Sequence, residues 1–191
     1  MTAVILNLEP MFQLTDDAFS KLCQANPEVK FERTAKGELI VMPPTGGDTG
    51  KRNSELTFQL QAWNRKTQLG VTFDSSTLFQ LPNGARRSPD AAWIPLERWE
   101  SLTPEDQETF PPLCPNFVVE LRSPSDSLKS LQDKMQEYLD NGTSLGWLLD
   151  PKGKQVEIYR PGQQKQVELA PTSLSGETVL PGFVLDLEGI L

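Results

Sequence analysis

The sequence predicts one α/β (α+β) domain, residues 1–191, in which a mixed β-sheet is flanked by helices. A chain of 191 residues fits one domain and can bury a substantial core. Its hydrophobic fraction of 37% and charged fraction of 23% are ordinary for a globular protein. Helical and strand patterns alternate along it without an internal repeat or a linker-like segment, which is typical of a mixed sheet with helices packed against it.

The first half of the chain predicts two helices and a hairpin. Thr15 is a good N-cap for a helix through DDAFSKLCQA. The runs VKFERT and ELIVMPP, separated by three residues ending in Gly37, predict a β-hairpin. A glycine-rich loop, PPTGGDTG, then leads to an amphipathic helix over about residues 52–68, which buries Leu56, Leu60 and Trp63.

The second half predicts most of the sheet. Strands are expected at VTFDSS, TLFQLP, DAAWIP and FVVEL, with an irregular excursion, LERWESLTPEDQETFPP, before the last of these. A helix over about residues 127–141 ends at Gly142. Three further strands follow at GWLLD, KQVEIYR and QVELA, and the tail LPGFVLDLEGIL is expected to pack back on the body.

The residue types present restrict the chemistry. Histidine is absent, which excludes Ser-His-Asp and Cys-His machineries, His-ligated zinc and histidine general bases. Cys23 and Cys114 are far apart and form no CxxC pattern, so both are expected to be small buried residues. Any catalysis must therefore use carboxylates, Lys, Tyr or a metal held by oxygen ligands.

Charge and hydropathy bear on partners and location. The net charge of −8 and the pI near 4.7 argue against a non-specific nucleic-acid binder, but a local patch or a bound cation can reverse the field at a site. No stretch approaches the roughly 20 apolar residues of a membrane span. The start, MTAVILNLEPMF, has no basic n-region or small-residue cleavage site, so a cytoplasmic protein is expected.

Two carboxylates lie in or next to predicted apolar strands. Asp90 leads into the apolar strand AAWI, and Glu120 lies within FVVEL on the same strand face as Val118. Burying an unpaired carboxylate is costly, so Glu120 lies at a strand end, pairs with a cation or holds a metal. Taken alone, Asp90 is more typical of a Ser-Pro-Asp turn. On the next helix, Lys134 lies about 40° outside the Tyr138 edge of the apolar stripe. Its stem can pack on the core while its ammonium either reaches the neighbouring strand end or extends to solvent, as in an ordinary border lysine.

Other candidates are weaker. Glu55, a border residue of the second predicted helix, is either a further metal ligand or a solvated side chain. Arg52 and Arg87 each belong to a basic pair and are candidate phosphate contacts or plain surface residues. The loop PPTGGDTG lacks the Gly-Lys-Ser/Thr of a P-loop, so nucleotide binding of that kind is not indicated.

The chain as a whole resembles a known family. The strings VMPPTGG, RNSEL, SPDAAW, FVVELRSPSDSL, KMQEYLDNG, GWLLDP and VEIYRPG, in this order, are similar to the Uma-type restriction endonucleases of the PD-(D/E)XK superfamily. The resemblance implies a restriction-endonuclease-like core, with Asp90 as the aspartate of the PD motif and Glu120 as the second acidic residue. The superfamily's lysine usually stands two residues later, where this chain has Arg122. The resemblance instead places the lysine on the following helix, as Lys134, and matches Glu55 to a helical glutamate of such sites.

These residues suggest a metal-dependent endonuclease that hydrolyses DNA. Carboxylates such as Asp90 and Glu120 hold Mg²⁺ or Mn²⁺, Lys134 could orient or deprotonate the attacking water or offset charge on the phosphate, and Arg52, Arg87 and Arg122 would contact substrate. Two alternatives remain open: a non-cleaving binding or regulatory module on the same fold, and a metal-dependent phosphoesterase acting on RNA or nucleotides. A homodimer is expected by analogy, because cutting two strands suits two sites.

Overall fold

The computed structural model describes residues 3–9 and 11–191. The helices are α1 (Asp16–Ala25), α2 (Gly47–Thr67), α3 (Leu96–Glu100), α4 (Pro104–Glu108) and α5 (Leu128–Asp140). The strands are β1 (Val4–Leu6), β2 (Lys30–Arg33), β3 (Leu39–Met42), β4 (Gly70–Asp74), β5 (Phe79–Gln80), β6 (Arg86–Arg87), β7 (Ala91–Pro95), β8 (Phe117–Leu121), β9 (Leu145–Asp150), β10 (Gln155–Tyr159), β11 (Gln166–Leu169), β12 (Ser173–Ser175) and β13 (Val184–Asp186). None of the helices in the described ranges is long and apolar enough to cross a membrane.

A six-stranded mixed sheet, ordered β11-β10-β9-β8-β7-β4, forms the centre of the protein. Strands β8 and β9 run parallel and are joined by α5, while the other neighbours are antiparallel. Both central strands are buried along their whole length, which explains their almost continuous apolar sequences. The predicted mixed sheet flanked by helices is confirmed.

Alternating side chains of this sheet build two cores. One face contacts α2 and the C-terminal tail, with residues such as Leu56, Phe117, Trp147 and Phe183 in one cluster. The other face contacts α5, whose Met135 and Tyr138 are fully buried. Glu120 alternates with Val119 and so faces the α5 side.

A second sheet of five strands, ordered β1-β3-β2-β6-β5, carries the hairpin. Its link to the β5–β6 segment is the pair Arg33↔Arg86. Helix α1 packs here through Phe19, which is fully buried. This sheet brings β2 and β6 close to the end of β7, because β6 precedes β7 by only three residues.

Most predicted elements are confirmed, with differences at the boundaries. Thr15 caps α1 by accepting a hydrogen bond from the N–H of Ala18, as predicted. Helix α2 begins at Gly47, five residues before its predicted start, and the packing of buried Thr49 accompanies this extra turn. The predicted excursion contains α3 and α4, the latter fixed by a capping box on Thr103. The tail packs on the first core as expected, and of the two cysteines Cys114 is buried but Cys23 is only half-buried.

Candidate active site

Asp90 and Glu120 lie at the adjoining ends of two paired strands. The β7–β8 register pairs Ala91 with Val119, and its continuation by one residue sets Asp90 opposite Glu120. The N–H of Asp90 donates to the carbonyl oxygen of Val119 at 2.9 Å. The Asp90 carboxylate then accepts the N–H of Leu121 at 2.7 Å, which fixes it against the end of β8. The two predicted acids are therefore neighbours across one ladder.

The other carboxylate oxygen of Asp90 faces helix α2. The side-chain amide of Asn53 lies 3.4 Å from Asp90 Oδ1. Asn53 Oδ1 is itself buried and has no hydrogen-bond partner among the described residues. The second helix thus contributes an amide to the site, with one polar atom left unsatisfied.

Lys134 reaches the pair from helix α5. Ser127 caps this helix, and its buried residues Met135 and Tyr138 set its face against the sheet. The ammonium of Lys134 lies 2.8 Å from Glu120 Oε1, as the helical periodicity predicted for a border residue of the stripe. Lys129 instead points to solvent and pairs with Asp133. Helical phase therefore separates the inward lysine from the solvated one.

Tyr138 adds a second contact to Glu120. Its hydroxyl donates to Glu120 Oε1 at 3.0 Å, and the Lys134 ammonium lies 5.9 Å from the centre of its ring. Glu120 is only 4% exposed, so a hydroxyl and an ammonium are its neighbours in place of water. The sequence predicted Tyr138 only as a core residue of the stripe.

Glu32, on β2, is a site residue that sequence reasoning missed. Its Oε1 lies 2.8 Å from the Lys134 ammonium and accepts the N–H of Ser88 at 3.0 Å. Its Oε2 accepts from Arg87 at 3.1 Å, and Arg87 also pairs with Glu137 at 2.6 Å. Within VKFERT nothing distinguishes Glu32 from a solvent-facing strand residue, because its burial arises only when the hairpin docks beside β6.

The pKa values of the three buried acids are shifted in different directions, because their charged neighbours differ. Burial raises the pKa of Glu120 to about 8; Lys134 opposes the rise, and Asp90 adds to it. Burial likewise raises the pKa of Asp90, against the opposing N–H of Leu121. Although burial opposes it, Lys134 and Arg87 hold the pKa of Glu32 below its ordinary value. Ionisation is therefore unfavourable for Asp90 and Glu120, whereas the ionised form of Glu32 is stabilised by its two cations.

The remaining predicted residues lie differently. Glu55 is exposed, and its carboxylate accepts a hydrogen bond from Gln59 one turn along α2 at 3.0 Å, so Asn53 and not Glu55 reaches Asp90. Arg87 is buried between two carboxylates, so its guanidinium belongs to the support of Glu32 and is not exposed to a phosphate. Arg122 is held by Asp150 at 2.8 Å.

Arg52 is the exception among the predicted substrate contacts. It is half-buried on α2, and it forms no ion pair with the residues in the described ranges. Of the three arginines predicted to contact substrate, it is therefore the one without a carboxylate partner among the described residues.

The chemistry of the donors suits a hard divalent cation. Three acids, Glu32, Glu120 and Glu137, contact two cations, Lys134 and Arg87, and Asp90 lies opposite Glu120, so the acids outnumber the cations that contact them. Across residues 3–9 and 11–191, no group of three or more His, Cys, Asp or Glu side chains has a metal-holding arrangement. The protein would then supply two carboxylate ligands, and Mg²⁺ commonly completes its coordination shell with water.

Comparisons with known proteins identify the family and the fold of this chain. The model of the Uma2 family, described as "Putative restriction endonuclease", matches residues 16–188. Among solved structures, a "putative nuclease belonging to DUF820" from Anabaena variabilis superposes with a TM-score of 0.77 at 21% identity, covering 91% of this chain and 95% of the other. No curated protein matches the chain. The structural likeness establishes the fold, and the family match covers every residue of the candidate site.

Proposed function

Because the chain belongs to the Uma2 family of restriction-endonuclease-like proteins, we propose that it is a metal-dependent endonuclease that hydrolyses phosphodiester bonds in DNA. The observation that carries the proposal is the placement of Lys134. Its ammonium lies 2.8 Å from Glu120, and Glu120 stands opposite Asp90 on the neighbouring strand. Two acids at the adjoining ends of paired strands and a lysine from α5 thus lie next to one another. A non-cleaving module would not require this arrangement.

In this proposal Asp90 and Glu120 hold Mg²⁺ or Mn²⁺. Both offer hard carboxylate oxygens, and both have raised pKa values that a nearby cation would lower. When bound, the metal supplies a water of lowered pKa and offsets charge on the phosphate. Leu121 and Asn53 orient Asp90 for this task, and Tyr138 orients Glu120.

Lys134 acts in this proposal as a fixed positive charge and not as a base. Although burial opposes it, Glu120 and Glu32 raise the pKa of Lys134 above its ordinary value. Its contacts with Glu32, with Glu120 and with the Ser88 carbonyl oxygen at 3.2 Å match the three donors of an ammonium. A protonated, fully held ammonium can offset charge on the transition state without reorganising.

The test is cleavage of three substrates by purified protein. Supercoiled plasmid, single-stranded DNA and RNA are incubated with Mg²⁺, Mn²⁺ or EDTA, using wild type, Asp90→Ala, Glu120→Ala and Lys134→Ala. The matched control is Lys129→Ala, which removes an exposed lysine from the same helix. We expect metal-dependent cleavage of DNA that survives in the control and is lost in the other three variants.

Each other result has a definite meaning. Cleavage that persists in Lys134→Ala, with a folded protein by circular dichroism, would remove the lysine assignment and keep the metal pair. Cleavage of RNA alone would shift the proposal to a phosphoesterase on RNA. No metal-dependent cleavage of any substrate would refute the nuclease proposal and favour a binding module.

A further inference from the structure

A long cleft runs beside the candidate active site. It has a volume of about 990 Å³ and lies between α2, the end of β3 with the loop after it, and the end of β4. Asp90 and Glu120 do not line it, but two of its lining residues adjoin the site. Asn53 lies 3.4 Å from Asp90, and Asp74 pairs with Ala91, the residue after Asp90. One end of the cleft therefore adjoins Asp90 of the candidate active site.

The α2 wall of this cleft is the face opposite the core. At about 100° per residue, Phe58 lies roughly 200° from the fully buried Leu56, and Arg65 lies about 180° from it. The side chain of Phe58 is 65% exposed. This large aromatic residue lies on the outer face of the helix and lines the cleft together with Met42 and Pro43.

Cations outnumber acids by one in the lining of the cleft, although the protein has a net charge of −8. The cations of the lining are Lys30, Arg65 and Lys66, and its acids are Glu28 and Asp74. Arg65 and Lys66 are exposed and form no ion pair within the part of the chain that the structure describes. Cations in the last turn of a helix interact favourably with the helix dipole, which accounts for Arg65 and Lys66. The dipole does not account for the exposed Phe58.

An exposed aromatic ring and unpaired cations about two turns further along the same helix match a single nucleic-acid strand. A base that is not paired can stack on Phe58, whereas the bases of a duplex are already stacked on each other. Three cations would also give a duplex few phosphate contacts. The distance along α2 from Asn53 to Arg65 is about 18 Å, long enough for several nucleotides between the cations and the catalytic pair.

We propose that this cleft binds a single strand of DNA adjoining the scissile phosphate, with Phe58 stacking on an unpaired base and Arg65 and Lys66 contacting phosphates. The inference rests on the proposed nuclease function, since it assigns the substrate of that site as DNA with a single-stranded tract. The buried, unpartnered Oδ1 of Asn53 lies where the strand passes from the cleft to Asp90.

Binding in EDTA tests the cleft without cleavage. Fluorescence anisotropy compares a labelled single-stranded 20-mer with a hairpin duplex, using the full chain. Phe58→Ala should weaken single-strand binding about 5- to 100-fold, Phe58→Trp should restore it, and duplex binding should change little. The control Leu169→Ala removes another exposed hydrophobic side chain, 77% exposed on β11, and should bind as wild type.

The salt dependence tests the phosphate contacts. Arg65→Ala/Lys66→Ala should reduce the slope of log affinity against log salt by about 1.4, which is about 0.7 for each phosphate contact on a single strand. The control Lys129→Ala/Lys152→Ala removes two exposed lysines elsewhere and should leave the slope unchanged. Equal weakening of single strand and duplex by the Phe58 variant would overturn the proposal.

Two further outcomes separate this inference from the nuclease proposal. Wild-type binding by Phe58→Ala, together with Asp90-dependent cleavage, would refute the cleft and keep the nuclease. Phe58-dependent binding without metal-dependent cleavage would keep the cleft as a strand-binding surface and refute the nuclease. A change of oligomeric state in Phe58→Ala by light scattering would show that the cleft is an interface between copies, which overturns the proposal.

Discussion

The substitution Glu120→Gln should stabilise the metal-free protein at alkaline pH. Glu120 is 4% exposed, and burial raises its pKa to about 8 from an ordinary 4.5. A group with a raised pKa in the folded state contributes its full stability below pH 4.5 and loses it as the pH rises through 8. The substituted amide would be neutral throughout, and its carbonyl oxygen would still accept from Tyr138.

The magnitude follows from the shift. About 3.5 pH units at 1.36 kcal/mol each give an upper limit of roughly 5 kcal/mol. Relaxation around a buried charge reduces this, because the effective dielectric constant inside proteins exceeds the dry value. With about 2–4 °C per kcal/mol for a chain of this size, we expect Glu120→Gln to melt at least 5 °C above wild type at pH 8.5 in EDTA.

The assay is thermal unfolding followed by circular dichroism at pH 5 and pH 8.5. The two proteins should melt within about 2 °C of each other at pH 5, where wild-type Glu120 is protonated. Adding Mg²⁺ at pH 8.5 should raise the melting temperature of wild type and not that of Glu120→Gln. The exposed Glu100→Gln is the control and should match wild type in both buffers. A difference that does not grow with pH would refute the assignment of Glu120 as the strained carboxylate.

Three other substitutions test the support of the site and the core. Lys134→Met should abolish cleavage and destabilise the fold by about 3–5 kcal/mol in urea unfolding, because Glu32 and Glu120 lose their shared cation while buried. Tyr138→Phe should cost about 1 kcal/mol and lower the cleavage rate several-fold in a plasmid assay, since it removes one hydrogen bond and keeps the ring. Gly70→Ala should destabilise the protein by more than about 2 kcal/mol in the same urea assay without changing metal affinity, because its Cβ would lie 2.2 Å from a backbone carbonyl oxygen of β7. Unchanged stability in the first or third, or an unchanged rate in the second, would contradict these expectations.

Local sequence patterns predicted the elements whose structure depends on residues close together in the sequence. The Thr15 cap, the apolar stripe of α5 and the apolar run of β8 depend on neighbours a few residues away, and each is found in the structure. Lys134 was placed correctly for the same reason, because helical phase alone sets its direction relative to Tyr138. The opposed positions of Asp90 and Glu120 required the strand order, which only the family resemblance suggested.

What the sequence did not predict depends on contacts between distant segments. Strand β6 has two residues, which pair with β5, and it joins the second sheet through the pairing of Arg86 with Arg33, 53 positions away. Arg87 is buried for the same reason, although a basic pair before a proline is typical of a surface loop. Helix α2 starts early although Gly47 and Gly50 have low helix propensity. We infer that packing of the first turn, through buried Thr49, outweighs a cost of about 1 kcal/mol per glycine.

Glu32 explains how a lysine can serve the site from a helix. A lysine on a strand next to the acids would be held by the backbone of that strand, but Lys134 extends from α5 along a flexible stem. Glu32 and the Ser88 carbonyl oxygen also contact its ammonium, which Glu120 contacts as well. Arg87 in turn balances the charge of Glu32. The second sheet thus supplies a contact to the Lys134 ammonium from Glu32, 102 positions away in sequence. The hairpin is therefore as much a part of the candidate active site as the strands that carry the acids.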